Sequence, residues 1–207
     1  LHSVDEIVHV YNPASGWIQN CNSTPYTVSG TSSPLRTNYP VYMAPDGENF
    51  RDRNAVRLFS QTGKLDLQGL IGLGYDRRLM AFETLLPALV NAASQESDLG
   101  EVVEELKKWD YTASTSSIAQ TIAIRWGLKI LPKIPKPKQF GGETEVVQNM
   151  ESYARTGSKL AMVQVLREVL AELKRDFGTW RVAWGDLNRF QRVSNGDALQ
   201  MDDSKAS

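Results

Sequence analysis

Residues 160–178 of the chain read LAMVQVLREVLAELKRDFG. Apolar side chains recur there every three or four positions, which is the spacing of one face of an α-helix. They are Leu160, Val163, Leu166, Val169, Leu170 and Leu173. Gly178 follows, and glycine commonly ends helices because it adopts a left-handed backbone without strain. We therefore predict a helix that buries this stripe and ends at Gly178.

The helical pattern extends back to about residue 51. Residues 98–109 combine an acidic start, typical of a helix N-terminus, with one apolar face. Ser116 and Ser117 precede another apolar series, so we expect them to cap a further helix. Residues 51–179 are therefore predicted to form a helical region.

The N-terminal stretch has a different pattern. Residues 4–11 are β-branched and aromatic towards their end, which is typical of a strand. The sequence Asn12-Pro13-Ala14-Ser15-Gly16 favours a turn, because Pro13 presets its own φ and Gly16 tolerates a positive φ. Residues 17–22 then read as a returning strand. We predict a β-hairpin within residues 1–25.

These patterns define the expected organisation of the chain. The fold class is α+β and predominantly helical, with residues 1–192 forming a single domain or domain fragment. Its parts are the hairpin at 1–25, a long loop at 26–50, the helical region at 51–179 and a returning strand at 180–192. A polar tail follows at 193–207.

Composition excludes several classes of function. The chain has 207 residues with 23 basic and 24 acidic side chains, so no basic excess favours a nucleic-acid or anionic-membrane partner. No apolar run reaches the ~18 residues of a membrane-spanning helix. Its single cysteine, Cys21, and its two histidines, His2 and His9, exclude a disulfide framework and a His-rich or multi-cysteine metal site.

Few residues are candidates for chemistry. His9 is interpreted as a half-buried strand histidine, and Cys21 is interpreted as a packed side chain rather than a nucleophile. The cluster Asn20-Cys21-Asn22 is of more interest, because an Asn amide presents two N–H donors without charge. Such donors can stabilise the oxyanion of acyl transfer. Asn at the end of a strand is also a common turn residue, and both interpretations of the cluster stand.

The run NPASGWIQNCNSTP at residues 12–25 resembles a β-chain segment of the penicillin acylase family, which are N-terminal-nucleophile hydrolases. The shared pattern is Asn-Pro-x-x-Gly-aromatic-Ile-x-x-x-Asn-x-x-Pro. Further pieces follow in the family's order. Phe50–Leu58 resembles a helix start with an active-site arginine, and Leu106–Asp110 resembles a Leu-x-x-Trp-Asp stretch. Trp184-Gly185-Asp186 is most similar to the acyl-homoserine-lactone and aculeacin-type acylases.

The resemblance implies a mechanism that needs no histidine. A serine at the N-terminus of the mature β chain attacks an amide, and its own α-amine serves as the base. Asn22 matches the side chain that holds the oxyanion together with a backbone N–H. Arg53 matches an arginine that orients the surroundings of the nucleophile. The substrate is an acylated amine, and no cofactor is required for the chemistry.

The family's nucleophile lies upstream of this motif and has no counterpart here, since Leu1 carries no hydroxyl and Ser3 is internal. The resemblance therefore implies a β-chain fragment of an αββα enzyme, inactive alone, whose partner is the rest of the acylase. Structural calcium is possible, with Asp46 as a candidate ligand. The location implied is periplasmic or secreted.

Two further expectations concern association. Excising the hairpin from a larger sheet would leave an open edge, so self-association through it is possible. The alternative to an enzyme fragment is a non-catalytic helical interaction domain.

Overall fold

The computed structural model of the chain describes residues 1–135 and 142–189. The helices in chain order are α1 (Phe50–Gln61), α2 (Leu67–Gly74), α3 (Met80–Ala93), α4 (Gly100–Lys107), α5 (Ile118–Ile130), α6 (Gly142–Thr156), α7 (Lys159–Phe177) and α8 (Trp184–Leu187). Single 3₁₀ turns occur at Val4–Glu6, Pro25–Thr27, Gly30–Ser32, Arg36–Asn38, Ser97–Leu99 and Leu131–Lys133.

The chain divides into two compact units. The first comprises Leu1–Ala88 and Pro132–Gly157, and the second comprises Leu89–Leu131 and the chain from Ser158 onward. The predicted helical region is thus confirmed as a set of separate helices.

The second unit is built around α5 and α7, which pack against each other. Their facing side chains are fully buried: Ile122, Trp126, Ile130, Leu166, Val169 and Leu173. The Trp126 indole N–H donates to the Met162 carbonyl at 3.0 Å, so the largest core side chain leaves no buried donor unpaired. Leu160, placed in the stripe by its spacing, remains 67% exposed.

Local sequence signals set the ends of these two helices. Ser117 caps α5, since its side-chain oxygen accepts from the Gln120 N–H at 3.0 Å. Gly178 ends α7 with a φ of 75°, and its N–H donates to the Lys174 carbonyl at 2.9 Å. Both predicted caps are confirmed.

The predicted β-hairpin is wrong. The described residues 1–135 and 142–189 contain no β-strand, so neither the hairpin nor an αββα layering is present in them. The turn between the two expected strands does form, because the Gly16 N–H donates to the Pro13 carbonyl and Gly16 has a φ of 76°. The open strand edge that the hairpin would have presented is therefore not found in these residues.

Local hydrogen bonds explain why the hairpin does not form. Ser3 and Glu6 form a capping box around the 3₁₀ turn at Val4–Glu6. The residues expected to begin the first strand are therefore held in a turn instead of an extended conformation. The backbone of the second segment is bound by the following loop instead. The Gln19 N–H donates to the Val28 carbonyl at 2.9 Å, and the Ser29 hydroxyl donates to the Trp17 carbonyl at 2.7 Å.

The loop after residue 25 is packed. The Tyr26 hydroxyl donates to the Met43 carbonyl at 2.9 Å, and the Tyr26 ring lies 6.1 Å from that of Tyr39. Trp17 stacks on Phe59 of α1 with ring centroids 5.4 Å apart. Trp17 thus holds the N-terminal segment against α1, and Tyr26 holds the loop together.

The returning strand predicted at 180–192 does not form in the residues described, because Trp184–Leu187 form α8 and the residues on either side of it are irregular. The N–H groups of Trp184 and Gly185 donate to the carbonyls of Ser117 and Thr115, at 3.1 Å and 2.7 Å, rather than to a neighbouring strand. Residues 190–192 and the tail predicted at 193–207 lie outside the described residues.

Candidate functional site

The Asn20–Asn22 turn presents the Asn22 side chain at the surface of the first unit. Asn22 has a left-handed backbone with a φ of 54°, which asparagine tolerates better than most residues. Its N–H donates to the Asn20 side-chain oxygen at 2.8 Å. The turn is therefore stabilised by its own first residue.

Asn49 ties this turn to the start of α1. Its side-chain oxygen caps α1 by accepting from the Asp52 N–H at 3.0 Å. Its side-chain nitrogen donates to the carbonyls of Cys21 at 3.0 Å and Asn22 at 3.3 Å. One amide thus fixes the helix N-terminus and the turn relative to each other.

Arg51 fixes the side chain of Asn22. Both terminal nitrogens of its guanidinium lie 3.4 Å from Asn22 Oδ1. Because a guanidinium can only donate, the oxygen of the Asn22 amide faces Arg51. Within the residues described, Asn22 Nδ2 makes no hydrogen bond, and Asn22 is exposed. The two N–H donors of Asn22 therefore remain available.

A cavity of 650 Å³ opens beside this turn. Cys21, directly before Asn22, and Arg51, which contacts Asn22, both form part of its wall. A small molecule in the cavity would therefore reach the neighbourhood of the Asn22 amide.

Buried Asp52 anchors the base of the site. Its carboxylate accepts from the Gln19 side-chain nitrogen and from the Thr27 hydroxyl, the latter at 2.9 Å. Burial raises the pKa of Asp52, although the hydrogen bonds oppose that shift. Gln19 Oε1 is buried without a partner. This network holds the segment before Asn22 against α1.

One comparison identifies the family of the chain. A family model described as Penicillin amidase matches residues 1–205. The chain belongs to the penicillin amidase family. The resemblance drawn from the run at residues 12–25 is thereby confirmed, and the amidase motif coincides with the turn that presents Asn22.

Arg53, the arginine that sequence matching assigns to the amidase site, is not brought to Asn22. Its guanidinium donates to Glu48 at 2.8 Å and to Glu151 of α6. Partial burial disfavours its charge, but the bonds to Glu151 and Glu48 raise the pKa of Arg53. The neighbouring Arg51 is the one that contacts Asn22.

The other candidate groups of this amidase relative, Cys21 and His9, show no sign of activation as a nucleophile or a base. Burial raises the pKa of the Cys21 thiol, which favours its unreactive protonated form. His9 is exposed rather than half-buried, and its Nδ1 contacts the Ile7 carbonyl at 2.8 Å. Neither residue pairs with the other as a nucleophile and a base would.

The described residues contain neither a cluster of metal-ligating side chains nor a helix that could span a membrane. No three His, Cys, Asp or Glu side chains converge there as a metal-binding group. Asp46 is exposed and is not part of such a group. Within the same part of the chain, every helix is too short or too polar to span a bilayer.

Sequence reasoning missed Arg51 and Asn49. Asn49 stands immediately before a predicted helix, where asparagine is a preferred cap, and this signal could have found it. The resemblance assigns the arginine to Arg53, whereas the structure shows that Arg51, two residues earlier, contacts Asn22.

Proposed function

We propose that this chain is part of an amide-bond hydrolase in which Asn22 donates an N–H to the oxyanion of the transition state. Membership of the penicillin amidase family makes the chain a relative of acylases that cleave amide bonds. One observation carries the role of Asn22. Arg51 donates to the side-chain oxygen of Asn22, and Asn22 Nδ2 makes no hydrogen bond within the described part of the chain.

The nucleophile is proposed to be a serine outside these 207 residues, with its own α-amine as the base. Two observations support an external nucleophile. The thiol of Cys21 has a raised pKa, and His2 and His9 contact Tyr42 and the Ile7 carbonyl rather than a hydroxyl nucleophile.

In the proposed reaction, the serine oxygen bonds to the carbonyl carbon of the substrate and its proton passes to the α-amine. The carbonyl oxygen becomes an oxyanion and accepts from Asn22 Nδ2 and from a backbone N–H supplied by the rest of the enzyme. The amine then leaves with a proton, and water hydrolyses the acyl-enzyme. Asn22 contributes chiefly in the transition state, where the charge develops.

Two arginines support this arrangement in different ways. Arg51 is a positioning residue, because it sets the orientation of the Asn22 amide. Arg53 acts at a distance, because its bonds to Glu48 and Glu151 fix α1, which carries Arg51.

The remaining proposals follow the family. The substrate is an acylated amine, and the Trp184-Gly185-Asp186 segment favours the acyl-homoserine-lactone or lipopeptide type. The partner is the rest of the acylase, and the location is the periplasm or the exterior of the cell.

The test is amide hydrolysis by the matured full-length protein, assayed with phenylacetyl and long-acyl anilides. We expect the full-length protein to release the aniline and the 207-residue chain alone to release none. Cleavage by the purified isolated chain would contradict the external nucleophile. A matured full-length protein that cleaves neither class would favour the non-catalytic interaction domain instead.

A further inference from the structure

Asn49, the cap of α1, also binds the two peptide groups that flank the Asn22 Cα. Its Nδ2 donates to the Cys21 carbonyl at 3.0 Å and to the Asn22 carbonyl at 3.3 Å. The partners fix the direction of the Asn49 amide, because carbonyl oxygens only accept and the Asp52 N–H, which binds the Asn49 oxygen, only donates. One side chain thus connects the backbone of Asn22 to the N-terminus of α1.

The two carbonyls can share one donor because of the backbone conformation of Asn22. In an extended chain successive residues face opposite sides, whereas Asn22 is left-handed with a φ of 54°. This conformation is unfavourable for residues other than glycine, and it persists where surrounding contacts stabilise it. The bonds from Asn49 are such contacts, since an extended Asn22 would turn one of the two carbonyls away.

The bonds from Asn49 complete the set of contacts that fix Asn22. The Asn22 N–H donates to the Asn20 side chain, the Asn22 carbonyl accepts from Asn49, and the Asn22 side-chain oxygen accepts from Arg51. The side-chain nitrogen is the polar atom of Asn22 that the described residues leave without a partner. Every contact of the residue therefore favours one direction for that nitrogen.

A backbone hydrogen bond keeps the segment of Asn49 beside the turn independently of its side chain. The N–H of buried Thr24 donates to the carbonyl of buried Gly47 at 2.9 Å. Loss of the Asn49 amide should therefore loosen the turn at Asn22 without detaching the loop that follows it.

We propose that Asn49 is a positioning residue for the reaction, which directs Asn22 Nδ2 towards the oxyanion by fixing the backbone of Asn22. Arg51 sets the rotation of the Asn22 amide, and Asn49 sets the direction in which the side chain leaves the backbone. The role in the reaction rests on the proposed function, whereas the stabilisation of the turn does not.

Two substitutions separate the helix cap from the bonds to the turn. Asn49→Asp and Asn49→Ser both keep an oxygen that can cap α1, since Asp and Ser are preferred caps. Neither can donate to both carbonyls, because a carboxylate only accepts and the serine hydroxyl is shorter with a single proton. The aspartate adds a charge and the serine does not, so an effect common to both variants comes from the lost donor.

Ser158→Ala is the matched control for the loss of a helix cap. Ser158 caps α7 by accepting from the Ala161 N–H at 3.2 Å. It is exposed and belongs to the second unit, whereas Asn22 and Asn49 belong to the first. Ser158→Ala should lower the melting temperature and leave the turn and the reaction unchanged.

Cys21 reports on the turn without turnover, because it lies between Asn20 and Asn22. The full-length protein is alkylated with iodoacetamide, and mass spectrometry of the peptide that carries Cys21 gives the rate. We expect Asn49→Ser to raise this rate about fivefold, the factor by which losing one hydrogen bond of ordinary net strength shifts a local opening equilibrium. Asn49→Asp is left out of this measurement, since its charge itself disfavours the thiolate.

Steady-state amide hydrolysis by the full-length enzyme tests the role in the reaction. We expect Asn49→Asp and Asn49→Ser each to lower kcat about tenfold, because small misplacements of a catalytic group are costly. KM should change little, since the oxyanion forms only after the substrate has bound. A role in helix capping alone would move the melting temperature but neither kcat nor the alkylation of Cys21.

Two results would overturn the proposal. They are a wild-type kcat in the folded Asn49→Ser or Asn49→Asp enzyme, and an alkylation rate of Cys21 that Asn49→Ser leaves unchanged. If Asn49→Ser does not fold, Asn49→Asp decides the outcome through kcat. A raised alkylation rate in Asn49→Ser, together with a wild-type full-length protein that hydrolyses no amide, would leave the stabilisation of the turn intact and refute the proposed function.

Discussion

Arg51 directs both terminal nitrogens of its guanidinium at the side-chain oxygen of Asn22, each at 3.4 Å. The contact decides which end of the Asn22 amide faces α1, and the nitrogen end makes no hydrogen bond within the described residues. Arg51 sits in the first turn of α1, so the position of that helix sets the direction of the amide.

If Arg51 positions Asn22, Arg51→Gln in the full-length enzyme should lower kcat about tenfold or more, because small misplacements of a catalytic group are costly. KM for a neutral amide should change little. Arg51→Lys should restore part of the rate, since lysine keeps the charge but donates from one nitrogen. Steady-state hydrolysis measures both constants. An unchanged kcat in a folded Arg51→Gln enzyme would refute the positioning role.

Arg53 should affect stability instead. Its bonds to Glu48 and Glu151 are partly exposed and therefore screened, so Arg53→Gln should lower the free energy of unfolding by about 1 kcal/mol. Arg77→Gln is the control, because Arg77 is exposed and makes no ion pair within the described residues. Urea denaturation compares the two variants. Equal stabilities would show that Arg53 does not hold α1 in place.

Asp52 should make stability fall as pH rises. Burial raises its pKa above the ordinary 3.8, so the folded protein keeps a proton that the unfolded chain releases between the two pKa values. Stability from this group is fully present below pH 3.8 and is lost as pH rises through the folded pKa. Asp52→Asn does not titrate, so it should gain stability relative to wild type across that interval in thermal melts.

Asp76 provides the opposite control. Partial burial opposes the shift, but bonds from the Asn54 side chain and the Arg78 N–H lower the pKa of Asp76. Asp76→Asn should therefore lose stability relative to wild type as pH rises from the depressed pKa to above 3.8. The assignment of the pH effect to Asp52 fails if both variants shift the melts in the same direction.

Gly185 allows α8 to approach the segment before α5. A Cβ at this position would lie 2.9 Å from Thr115 Cβ and 3.0 Å from the Thr115 carbonyl oxygen. Gly185→Ala should therefore destabilise the protein by about 1–3 kcal/mol, the usual range for an added methyl in a packed site. At Gly100 a Cβ meets nothing within 4 Å, so Gly100→Ala should be neutral or stabilising by about 0.5–1 kcal/mol. Equal effects on the melting temperature would argue against the close approach.

The helices were predictable because their signals are local. The caps at Ser117 and Gly178 act within one turn of the helix they bound, and the stripe of α7 is buried apart from Leu160. The prediction of the hairpin was wrong because its pairing is not local. A strand needs a distant partner, and at Ser3 and Glu6 short-range hydrogen bonds compete with that pairing.

The site was only partly predictable. Resemblance drew attention to Asn22, but the choice between Arg51 and Arg53 depends on direction. Two residues apart on a helix, they point about 200° away from each other, so a short motif match cannot select the one facing Asn22. The cavity also escaped prediction, because its wall combines residues from three helices that no sequence pattern relates.

The central claim is that Asn22 donates to the oxyanion. The measurement is steady-state amide hydrolysis by the full-length enzyme carrying Asn22→Ala, with folding checked by thermal melt. Asn38→Ala is the control, because Asn38 is an exposed loop asparagine of the same unit. Asn20 is unsuitable, since its side chain accepts from the Asn22 N–H. We predict that Asn22→Ala lowers kcat on the order of 10²-fold or more, with little change in KM, while Asn38→Ala behaves as wild type. A well-folded Asn22→Ala enzyme with a near-normal kcat would contradict the account.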